Sequence, residues 1–128
     1  MNLFMLLQRA SIRLETSEAE FHNQAELITG ILRSAGVLAH RRSSLNGKLH
    51  KLVAAVLVEA YEHCETIDVT IRRAGSFALY NYSTKIISYL DKAVAAGLLI
   101  SQTSKAKGRL ELSDLLVSYL DNETFVPA

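Results

Sequence analysis

Residues 83–113 change hydrophobic period at one glycine, and this change constrains the fold more than any other feature of the chain. Ahead of Gly97, the residues Ile86, Ile87, Leu90, Ala93 and Val94 recur at helical spacing. They predict a helix from about Ser83 to Ala96 with one buried face. Gly97 supplies the left-handed conformation that stops a helix. Beyond it, Leu98–Thr103 is rich in branched apolar side chains and reads as a strand. The segment 104–108 (Ser-Lys-Ala-Lys-Gly) is a polar turn, and Arg109-Leu110-Glu111-Leu112 alternates as a returning strand. A helix that runs directly into a short hairpin with a basic tip follows from these periods.

The residues ahead of this helix extend the pattern. Thr70 to about Phe77 reads as a short helix with Asp68 or Thr70 at its N-cap, and Ala78–Tyr82 as a tight connection in which Asn81 or Ser83 caps the next helix. Thr66–Val69 reads as a short strand. Helix, turn, helix and hairpin in this order resemble a winged helix-turn-helix, most closely the MarR-type bacterial regulators, and the resemblance implies that the 66–69 strand pairs with the hairpin. Ser83–Leu99 (STKIISYLDKAVAAGLL) and Lys107–Ser113 (KGRLELS) carry the resemblance, within a stretch from roughly Leu49 to Leu120. Two positions depart from the MarR pattern: Tyr80 or Asn81 stands where a turn glycine is common, and Gly108 where an acid usually precedes the wing arginine. The resemblance implies that the Ser83–Ala96 helix enters the major groove of duplex DNA. Asn81, Tyr82, Ser83, Thr84, Lys85, Ser88 and Tyr89 would then contact bases or phosphates, with Lys92 at the edge. Arg72 and Arg73 would hold the DNA backbone, and Lys105, Lys107 and Arg109 on the wing would reach an adjacent groove or phosphates.

Charge distribution points the same way. The chain as a whole carries only +1. Between Val69 and Arg109, however, seven cations face Asp91 alone, a local charge of +6, whereas Leu110 to the end carries −4 and Glu59–Asp68 holds four acids without a Lys or Arg. A basic patch on a near-neutral protein is the footprint of a nucleic-acid binder, although a solvated basic face has the same composition.

The remainder reads as helices around one core. Asn2–Leu14 has a broad apolar stripe (Leu3, Phe4, Leu6, Leu7, Ala10, Leu14) that must pack on its own chain or on a partner subunit. Ser17-Glu18-Ala19-Glu20 has the spacing of a capping box for a helix to about Ala35, closed by Gly36. Gly30 inside that helix would admit a close neighbour or mark an indifferent surface position. Val37–Gly47 is the best linker candidate, and its His40-Arg41-Arg42 is an exposed loop or a further phosphate contact. Lys48–Cys64 is the clearest core helix, and Ser113-Asp114 caps a closing helix through Leu120. The expected organisation is mainly α with a small β-hairpin wing: extra N-terminal helices over 1–44, which serve dimerisation, a winged helix-turn-helix over 45–123 and a tail over 124–128. One compact domain accommodates all three at 128 residues.

Catalytic constellations are missing from the sequence. It has no glycine-rich phosphate loop, no HExxH and no paired-cysteine zinc spacing. His63-Cys64-Glu65 cannot present three ligands on one helix face, and Cys64 fits the core stripe. His22, His40 and His50 are isolated. The lone Cys64 forms no internal disulfide, the longest apolar run (Leu52–Val58) is too short for a membrane, and the N-terminal apolar run has no basic residue ahead of it. The expectation is a cytoplasmic homodimer without metal or cofactor, not an enzyme, that binds duplex DNA to regulate transcription. A plasmid or phage protein of replication or partition fits the same residues, as does a winged helix that binds protein instead of DNA.

Overall fold

The computed structural model describes residues 2–38, 44–63, 66–69, 77–102, 106 and 108–123, with the side chains of 44–46, 77–84 and 123 left out. Five helices and a three-stranded sheet are present among them: α1 (Leu3–Leu14), α2 (Ala19–Ser34), α3 (Ser44–Glu62), β1 (Ile67–Asp68), α4 (Phe77–Ala95), β2 (Leu99–Ile100), β3 (Arg109–Leu112) and α5 (Asp114–Glu123). The protein is therefore mainly helical with a small antiparallel sheet, as its periods predict. Among the described residues, no helix is long and apolar enough to cross a membrane.

α1 starts where Asn2 accepts the Met5 amide on its side-chain oxygen at 2.9 Å. Its stripe is not left for a partner: Leu3, Leu6, Leu7 and Ala10 are buried in the same core as α3 and α4. Asn2 also forms a parallel bridge with Asp68, which seats the start of α1 beside the sheet.

The capping box predicted at Ser17–Glu20 does not form. α2 begins one residue later, Glu18 is its N-cap, and no side chain caps it. The Glu18 carboxylate instead accepts from Arg13 Nη2 at 2.8 Å.

The linker expected over 37–47 is shorter than its composition suggests. Val37 and Leu38 are buried, with both amides bonded to the Leu32 carbonyl at 2.8 and 3.3 Å, and α3 already begins at Ser44. His40, Arg41 and Arg42 lie outside the described residues. Gly30 brings no helix close, since a Cβ placed there would meet nothing within 4 Å.

The largest departure is at α4. A tight connection was expected at Ala78–Tyr82, yet the helix runs unbroken from Phe77 to Ala95. None of those five residues is Gly or Pro, and Ala and Leu favour helix, so nothing local ends it. Gly75-Ser76, the nearest residues with turn chemistry, precede the helix in sequence, and the short helix expected from Thr70 falls on residues 70–76, outside those described.

The helix end is as predicted. Gly97 has φ +78°. Leu98 N donates to Ala93 O at 3.0 Å and Gly97 N to Val94 O at 3.1 Å, the paired closure of a Schellman motif. A side chain at this φ strains the backbone by roughly 1–2 kcal/mol. Strand order is β1-β3-β2, both pairings antiparallel, with Ile67 opposite Leu110 and Leu99 opposite Leu112. The 66–69 strand thus pairs with the hairpin, as expected. Gly108, at φ +71°, lets β3 start where its carbonyl receives Val69 N at 2.9 Å. Ser113 then caps α5 by accepting the Leu116 amide on Oγ at 3.2 Å.

Candidate nucleic-acid interface

Ile86, Leu90 and Ala93 sink one side of α4 into the core, with Ile87 and Val94 half-buried at its margins. Lys85, Ser88 and Lys92 follow one another at steps of three and four and are all exposed, so they form one outward stripe. Tyr89, four residues from Lys85 and three from Lys92, stands at the margin of that stripe. It is half-buried, and its ring stands edge-on to the His50 ring, with centroids 5.6 Å apart. The Lys92 ammonium lies 5.9 Å from the Tyr89 centroid, within cation–π range. Tyr89 therefore joins α4 to α3 instead of standing free for a base.

Asp91 does not share the outward face. Its Oδ1 accepts from the backbone amide of Ala106 at 2.6 Å, and so binds the hairpin turn to α4. The only acid of the +6 stretch is thereby engaged by a neutral donor. Lys85, Lys92 and Arg109 make no ion pair among the described residues. Arg109 is exposed at the start of β3, three residues beyond the tethered Ala106. This tie was invisible in the sequence, because Asp91 on a predicted outer face gives no sign of an acceptor aimed at a turn.

Of the other predicted contacts, Asn81, Tyr82, Ser83 and Thr84 are placed on α4 by backbone only, and Arg72, Arg73, Lys105 and Lys107 lie outside the described residues. The described residues present an exposed row of two lysines and a serine on α4, and an exposed arginine on the hairpin tethered to it.

A second charged cluster lies elsewhere. Arg13 donates to Glu59 at 2.7 Å, to Glu18 at 2.8 Å and to Glu62, and its guanidinium lies 4.0 Å from the Phe21 centroid. The bond to Glu62, followed by that to Glu18, holds the guanidinium well above its ordinary range, so it stays charged. His63 Nε2 reaches Glu59 Oε1 at 3.1 Å. Glu59, Glu62 and His63 stand close enough to share a cation, but Arg13 already supplies the positive charge there. The residue pair His63–Glu59, one turn apart, replaces the sequential His63-Cys64-Glu65 cluster, whose last two members lie outside the described residues. His22 has a structural role as well, with Nε2 at 2.8 Å from the Thr16 carbonyl.

No family model, curated protein or solved structure matches this chain.

Proposed function

We propose that the chain binds duplex DNA as a homodimer and regulates transcription, with α4 presented to the major groove and the β2–β3 hairpin acting as a wing. The observation that carries this reading is the unpaired cationic stripe on α4 beside a hairpin that Asp91 holds against it. Cations kept free of carboxylates are available to phosphates, which dominate the affinity of DNA binders. The MarR-type resemblance of residues 83–113 supports the same orientation, with any turn between two helices falling ahead of Phe77.

Binding should weaken steeply with salt. Each phosphate contact contributes a slope of about −0.9 in log K against log salt, so Lys85→Ala or Arg109→Ala should flatten the slope by about one contact. Both side chains are exposed, so the folded state should be untouched. Gel shifts on generic duplex DNA across a salt series provide the measurement. A protein that retains no duplex in low salt is a protein-binding winged helix or something else, and a slope unchanged in both variants means this face is not the one that binds.

Dimerisation needs surface that the core has not used. On α1 that leaves Met5, 46% exposed, and Ile12, 65% exposed; on α5 it leaves Leu115 and Tyr119, one turn apart. Ile12→Glu or Leu115→Glu should shift sedimentation towards monomer while keeping a cooperative thermal transition, with Tm falling no more than loss of association accounts for. Wild-type protein sedimenting as a monomer removes the homodimer from the proposal.

A further inference from the structure

We propose that the groove between α2 and α3 binds a phosphate-bearing small molecule through Arg33, Lys48 and Lys51. The cavity is about 440 Å³, within the range of small-ligand sites. Glu26, Thr29, Gly30, Arg33, Gly47, Lys48 and Lys51 line it. Three cations thus face one carboxylate, an excess of two charges that matches a phosphate dianion. None of the four charged groups has a hydrogen bond or ion pair among the described residues.

Arg33 gives the site its specificity. Its Nε is shut off from solvent and has no acceptor among the described residues, while the half-buried guanidinium lines the groove. A cation held with an unsatisfied N–H is costly, and an oxyanion against the groove side of the guanidinium would offset its charge. A planar guanidinium also presents paired donors that match two phosphate oxygens, while the exposed Lys48 and Lys51 act as point charges at the mouth.

The walls are cut low on both sides. Gly30 lies in the interior of α2 and Gly47 in the first turns of α3, and a Cβ at either would meet nothing within 4 Å. Glycine is a poor residue for a helix interior, and here both glycines face the same cavity. Glu26 would accept a hydroxyl or amino donor from the remainder of the ligand. His50 offers a built-in reporter. It is buried, its Nδ1 has no partner among the described residues, and burial, followed by the nearby Arg33 charge, pushes its pKa below the ordinary value. An anion that neutralises Arg33 should bring that pKa back up.

The test is titration of the full chain with inorganic pyrophosphate at constant ionic strength, followed by calorimetry and by the His50 ring signals in NMR. Saturable binding with Kd in the millimolar range or tighter, on the order of 1 mM, is expected, together with a rise in the His50 pKa. Arg33→Gln should weaken binding at least about tenfold, because a charge-assisted pair is lost. Lys48→Gln should weaken it by less, and Gly30→Leu, which adds an apolar side chain to the groove wall, should block it. Arg9→Gln, an exposed cation outside both the groove and the α4 stripe, should leave it unchanged. Absence of saturable binding overturns the proposal, as does equal weakening by Arg9→Gln. If Arg33→Gln reduces affinity for duplex DNA but not for pyrophosphate, the groove contacts nucleic acid and the small-molecule site is likewise overturned. This outcome is separate from the salt test of the α4 stripe.

Discussion

A chain lacking residues 1–15 should show no cooperative thermal transition. The deletion removes Leu3, Leu6, Leu7 and Ala10 from the core that α1 shares with α3 and α4, and Arg13 from its three carboxylates. Truncating a buried leucine costs about 2.7–5 kcal/mol, so three of them come to on the order of 8–15 kcal/mol. An ordinary domain has only about 5–15 kcal/mol in total. The bridge between Asn2 and Asp68 disappears as well, which releases one end of the sheet. Circular dichroism on heating and the dispersion of NMR signals are the measurements. A truncated chain that still melts cooperatively, merely as a monomer, means that α1 is a detachable dimer arm. Because α1 is needed for folding, loss of a dimer on this deletion is uninformative about the interface, and only exposed positions such as Ile12 test it.

Arg13→Met should cost about 3 kcal/mol, towards the lower end of what breaking a buried ion pair costs. Glu59 is only 2% exposed, so its carboxylate would be left in the core with His63 as its one remaining partner. Arg13 itself is 21% exposed and Glu62 31%, which tempers the loss. At roughly 4 °C per kcal/mol for a chain of this size, Tm should fall by about 10 °C. Methionine keeps the contact with Phe21, so the deficit isolates the charge. Adding Glu59→Gln should restore most of it, because the orphaned charge goes too. Glu18→Gln should matter far less, with a much smaller change in Tm, because that carboxylate lies at the surface. The bond from Arg13 holds the Glu18 carboxyl below its ordinary range. Its contribution is therefore present above the ordinary carboxyl pKa and is lost as pH falls through the lowered value. Wild type and Glu18→Gln should accordingly converge in acid. Similar, small Tm changes for Arg13→Met and Glu18→Gln would falsify the view that Arg13 neutralises a buried acid.

Local signals in the sequence determined the elements, and long-range contacts decided what those elements do. The buried side of α4, the stop at Gly97, the alternation of Arg109–Leu112 and the Ser113 cap all depend on residues within a few positions of one another, and each is found where its period or cap chemistry puts it. The same locality explains the misreadings. A turn at Ala78–Tyr82 follows only from the order of the neighbouring elements, whereas those residues themselves favour the helix that forms. Ser17 has the spacing of a cap, but α2 starts one residue later, with Glu18 at its N-cap and bonded to Arg13. The stripe on α1 reads identically whether its cover is a partner or the same chain, and only packing against α3 and α4 distinguishes them. Arg13 meets acids 46 and 49 positions away, Asp91 meets an amide 15 away, and Arg33 shares a groove with Lys48 and Lys51 of the next helix. No periodicity carries such pairings, because they depend on how the helices are brought together, and it is there that the tertiary structure separates cations already neutralised inside the protein from those left free for an anion.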